Sequence, residues 1–95
     1  MDRNECLNRA GELINGDRKK DYGDAYLNHR RIADLWNAML RERLAIGCEL
    51  NAVDVALMMM QLKTARLMNA WTDDSFVDMS AYAALACEMS QMEDR

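Results

Sequence analysis

An all-α fold, four helices in an antiparallel bundle, is predicted by three features of this sequence. Its 95 residues include no proline and only four glycines, so little interrupts a long helical stretch by removing a backbone donor or loosening the chain. Apolar side chains recur at three- and four-residue spacing through four segments, the period of a helix with one side turned inward. Short connections join those segments, which sets consecutive helices beside one another in opposite directions. The whole chain, 1–95, reads as a single helical domain.

The first helix is expected over about 4–15, where Cys6, Ala10, Leu13 and Ile14 share a face and Gly16 is placed to end it. The connection at 17–23, DRKKDYG, is charged and has no apolar period, and Gly23 followed by Asp24 reads as a turn that delivers an N-cap. The second helix, about 25–44, carries His29, Ile32, Ala33, Trp36 and Leu40 on one face, with Arg30, Arg31, Asp34, Asn37 and Arg41 elsewhere. His29 therefore lies on the inward stripe, where a histidine is expected to hydrogen-bond to backbone or a carboxylate. Gly47 breaks the chain, and Asn51 with Asp54 three residues on reads as a cap with an acidic first turn.

The third helix, about 52–70, is apolar nearly all round, which belongs to a central helix or to one at a subunit interface. Its methionine run, Met58 to Met60, reads as adaptable core or interface filling. The fourth begins with Thr72 or Asp73 as N-cap and runs to about residue 91.

Composition narrows the function. A chain this short sits near the lower end of sizes that fold without a metal, disulfide or partner, so self-association, most simply a homodimer, is expected. Cys6, Cys48 and Cys87 are odd in number and show no CxxC or Cys/His spacing, which points away from disulfides and zinc and toward a reducing cytoplasm. The start MDRNECLNR has no leader pattern, and VALMMMQL is too short an apolar run to span a bilayer. A net charge of −4, with basic residues dispersed among acids, argues against an extended nucleic-acid groove. No glycine-rich phosphate loop, nucleophile elbow or HExxH pattern occurs.

The best site candidate is the surface of the fourth helix, where Asp74, Asp78 and Tyr82 fall on adjoining positions. Lys63 and Arg66, three residues apart on the third helix, are the cations able to face it, and Tyr22 of the 17–23 connection and His29 of the second helix can approach it. The same residues also suit a structural role, a first-turn acid on the helix dipole and an inter-helix ion pair from Asp78 to Lys63 or Arg66.

The ordered motifs DYGD, NHRRIADLW, DVALMMMQLKTAR and DDSFVDMSAYAAL, spanning about 21–85, resemble a small helical domain common in tailed-phage and prophage genomes and without an assigned function. More distantly, LKTAR ahead of DDSxxDxxxY is similar to nucleotide-modification-associated phage domains and to MazG-like nucleotide pyrophosphohydrolases. That second resemblance implies an ExxE helix and an ExxD helix whose acids hold magnesium beside a triphosphate. Here Asp74 and Asp78 are four apart and no ExxE precedes them, since Glu42 and Glu49 fall at a helix end and in a loop. Two carboxylates alone place magnesium poorly. Two functions follow. One is a cytoplasmic accessory protein that acts by binding without a cofactor, either docking on a host or defence complex, as a counter-defence or anti-CRISPR factor would, or holding a small anionic ligand. The other is a MazG-like hydrolase or nucleotide binder, with magnesium on Asp74 and Asp78, phosphate on Lys63 and Arg66, and a base stacked on Tyr22 or Trp36.

Overall fold

The computed structural model describes residues 1–16 and 24–93. Four helices make up its regular structure among these residues: α1 (Arg3–Asn15), α2 (Ala25–Leu40), α3 (Ala52–Asn69) and α4 (Asp73–Met89). Each start has a chemical cause. The Asp2 carboxylate accepts from the Glu5 amide at 2.8 Å, Asp24 from Leu27 at 3.0 Å, and the Thr72 hydroxyl from Ser75 at 3.4 Å. At α3 the cap is reciprocal: Asn51 accepts from the Asp54 amide and Asp54 accepts from the Asn51 amide, both at 2.9 Å. Each such contact satisfies a backbone donor that the first turn cannot pair, worth about 1 kcal/mol.

The helix ends differ from expectation mainly in α2, which stops at Leu40 instead of continuing to 44. The amides of Arg43 and Leu44 both turn back onto the Leu40 carbonyl, at 2.7 and 3.0 Å. Farther on, the Asn37 side chain clamps Leu50, donating to its carbonyl at 2.9 Å and accepting from its amide at 2.8 Å. That two-way bond folds the connection back along α2, and Gly47 supplies the reversal with φ +85, a conformation that side-chain-bearing residues resist. At the end of α1, Gly16 is required for another reason: a Cβ there would stand 2.5 Å from the Glu12 carbonyl oxygen. The predicted turn at Gly23 lies outside the described residues.

Helices α3 and α4 run antiparallel as the spine, with α1 packed on α4 and α2 on α3. The core is built from small side chains, which lets the axes approach closely. Ala52, Ala56, Ala86 and Met89 form one buried cluster, against which Tyr26, Tyr82 and Leu85 pack. Ala10, Val77 and Ala81 form a second, covered by Cys6, Leu13 and Ile14. The expected stripe of α2 is present, with His29 and Ala33 buried and Ile32, Trp36 and Leu40 half-buried. The last turns are tied in by Glu93, whose carboxylate accepts from Arg30 at 3.3 Å and from the Ala52 amide at 3.1 Å. Its hydrogen bond and charge raise the Arg30 guanidinium above its ordinary pKa. Among the described residues, no helix is long and apolar enough to cross a membrane.

Candidate functional site

Because the two core clusters occupy different stretches of α4, a groove of about 420 Å³ opens between the end of α1 and the start of α2. Its lining includes Leu13 and Ile14 from α1, Tyr26 and His29 from α2, and Tyr82 and Leu85 from α4. Helical spacing explains the set: Asp78, Tyr82, Leu85 and Met89 follow one another by four, three and four residues, so one side of α4 faces the groove. On α3, Lys63 lies two turns beyond the buried Ala56 and emerges on the same side.

Lys63 and Asp78 meet in this lining, Nζ to Oδ2 at 3.0 Å, with side-chain exposures of 15% and 24%. The predicted pairing of Asp78 with a cation of α3 is therefore present. His29 is 6% exposed, and its Nδ1 lies 2.7 Å from the Ala25 carbonyl oxygen. A carbonyl only accepts, so Nδ1 carries the hydrogen and donates, leaving Nε2 with the lone pair of the neutral ring. The imidazole stands edge-on to Tyr82, ring centres 6.2 Å apart at 71°. This geometry holds both rings in place at the groove wall.

Of the residues singled out from sequence, His29, Lys63, Asp78 and Tyr82 come together here. Asp74 does not: its exposed carboxylate bonds to Arg9 of α1 at 3.1 Å. Arg66 is exposed and outside the lining, Trp36 is half-buried outside it, and Tyr22 lies outside the described residues. Sequence reasoning passed over Tyr26, Asn28 and Glu88, which also line the groove. Tyr26 was within reach of it, standing three residues before His29 and so on the same side of α2. The Arg30, Glu93 and Ala52 clasp left no local signal, because its members are joined only by the tertiary fold.

The charge of the lining is lopsided. Asp24, Asp78 and Glu88 face it with Lys63 as the one lysine or arginine among the described lining residues, and that lysine is already paired. Asp74 and Asp78 do not fit a magnesium site, since each is bonded to a different cation and only Asp78 reaches the groove. Among the described residues no group of three or more His, Cys, Asp or Glu side chains is placed to hold a metal ion.

An all-helical domain with one groove-bearing spine of this kind fits the small phage domain suggested by its motifs. The model of the family described as "Domain of unknown function (DUF6378)" matches residues 5–90, and the chain belongs to that family. It is similar to the Gene 55 protein of Mycobacterium phage L5, 47% identical over 89 residues, covering 93% of this chain and 54% of the relative. It is also similar to the Gene 55 protein of Mycobacterium phage D29, 37% identical over 78 residues, covering 81% of this chain and 48% of the relative. The chain thus spans about half the length of these curated relatives. No solved structure matches it significantly.

Proposed function

We propose that this phage-type domain acts by binding a small ligand in the groove, without catalysis, and that the ligand is nucleoside-like. The observation that carries the reading is the convergence of Lys63, Asp78, His29 and Tyr82 from three helices on one 420 Å³ groove. That volume lies within the roughly 300–1,000 Å³ of small-molecule sites, and the mixture of aromatic walls with a few fixed polar groups is what such sites use. Tyr26 and Tyr82 offer faces or edges for a flat ring, while His29 Nε2 and the second oxygen of Asp78 accept hydrogen bonds from ring or amino N–H groups.

The acid-rich lining refines the ligand. Each added phosphate brings more negative charge against Asp24, Asp78 and Glu88, with Lys63, already paired, as the one lysine or arginine among the described lining residues to offset it. A nucleoside or monophosphate is accordingly favoured over a triphosphate, and the reading is of binding because Asp74 and Asp78, the pair that the magnesium alternative needs, are bonded to Arg9 and Lys63.

The test is thermal unfolding with adenosine, cytidine, guanosine and thymidine and their mono- and triphosphates, each with and without magnesium. A ligand held only by the folded state raises Tm, by an amount that grows with the logarithm of its concentration once that exceeds Kd. A rise that is largest for a nucleoside or monophosphate, independent of magnesium and lost in Tyr82→Ala, is expected. A rise only with triphosphate and magnesium, accompanied by pyrophosphate release, would replace this reading with the hydrolase alternative.

A further inference from the structure

We propose that the side of the α3/α4 hairpin turned away from the groove is an interface between two copies of this chain. The inference does not depend on what the groove binds. On α3, Leu57, Gln61, Thr64 and Met68 recur at spacings of four, three and four, and all are exposed. On α4, Phe76, Met79, Ala83 and Cys87 recur at three, four and four, and all but the half-buried Met79 are exposed. The two stripes join into one surface, because the Thr64 hydroxyl oxygen lies 3.9 Å from the Met79 sulfur across the helix pair.

None of these eight positions is charged, whereas the opposite side of the same helices carries Lys63 and Asp78. An uncharged apolar stripe on two antiparallel helices is self-complementary: a two-fold axis across it sets like against like with no charge to oppose. Two hairpins packed in this way form a four-helix arrangement between chains, closing the layer that each chain leaves open.

The extent of the surface fits a second copy. The stripes run from Leu57 to Met68 and from Phe76 to Cys87, so side by side they present a face about 17 Å long and about 20 Å wide. With side chains standing out from it, its accessible area comes to several hundred Å², toward the lower end of what each partner contributes to a specific interface. The chain also has reason to use it, since among the described residues the largest fully buried side chains are Met89 and Val55, while Leu57 and Phe76 stay 44% and 43% exposed and Met68 85%.

Sedimentation velocity over a concentration series tests this on the 95-residue chain. A dimer is expected at about 50 μM. Ala83→Arg and Gln61→Arg each set a guanidinium near its symmetry mate and should raise the dimer dissociation constant by on the order of a hundredfold or more. Leu35→Arg, at an exposed position of α2 away from the hairpin, should leave it unchanged. Circular dichroism confirms folding of each variant, and if Ala83→Arg fails to fold, Gln61→Arg decides. A wild-type chain that stays monomeric up to about 500 μM overturns the proposal. So does a dimer that survives the folded hairpin variants or is lost with Leu35→Arg.

Discussion

The two sides of the α3/α4 hairpin are made by the same helices and differ in almost every chemical respect. On the groove side an ammonium and a carboxylate are paired while mostly buried, and an imidazole is fixed by its own helix. On the opposite side the residues at equivalent helical intervals are all uncharged and mostly apolar. Burying charge is unfavourable unless it is paired, so Lys63 and Asp78 are not explained by stability alone; hydrophobic residues of similar size fill such places at least as well. Charged groups are thus concentrated where a cavity exists and absent from the outer stripe.

The contrast can be broken first at its most charged point. Asp78→Ala leaves the Lys63 ammonium, 15% exposed, without its partner, and should reduce unfolding free energy by about 2–3 kcal/mol in a urea titration. Replacing both, Lys63→Met with Asp78→Leu, should recover most of that loss. A single-variant effect below about 0.5 kcal/mol would class the pair with surface ion pairs.

A smaller loss, about 1–2 kcal/mol, is expected for Glu93→Ala, because the carboxylate serves both Arg30 and the first turn of α3. The sign of its pH dependence follows from Arg30. A guanidinium pKa raised in the folded state contributes fully below its ordinary, already strongly basic value and is lost only as pH rises through the higher folded value. Arginine titration therefore adds no slope near neutrality, and a stability curve that falls between pH 7 and 9 would have to come from another group.

Asp24→Ala, at the edge of the groove, removes the cap of α2 and should cost about 1 kcal/mol in the same titration. On the other side, Met68→Ser, at a position 85% exposed, should change monomer stability by less than about 0.5 kcal/mol, while weakening the proposed association. If Met68→Ser destabilised the isolated chain as much as Asp78→Ala, the two sides would not differ in the way described.

How much of this was readable in the sequence depended on range. The four helices and their starts were legible because caps such as Asn51 with Asp54, and apolar spacings such as His29 to Ala33 to Trp36, are local patterns with local causes. The pairing of Asp78 with a cation of α3 was also legible, since few cations stand among the apolar residues of that helix, but the choice of Lys63 over Arg66 was not. The fate of Asp74 was not, because its partner Arg9 comes from α1, 65 residues away in sequence. The early end of α2 was hidden for a similar reason: the side chain that folds the connection back, Asn37, looks like an ordinary polar residue until Leu50 reaches it. The uncharged outer stripe was visible only as excess hydrophobicity of α3, for its match on α4 requires the antiparallel register.

The most direct measurement is an amide and side-chain NMR titration of the labelled protein with adenosine, cytidine, guanosine and thymidine and their monophosphates. Saturable shifts of at least one ligand at Tyr26, His29, Lys63, Asp78 and Tyr82, with Leu57, Gln61 and Ala83 unmoved, are the expected result. Shifts that map to the outer stripe, or no saturable shift at the groove with any of these ligands, would contradict the assignment of the groove as the binding site.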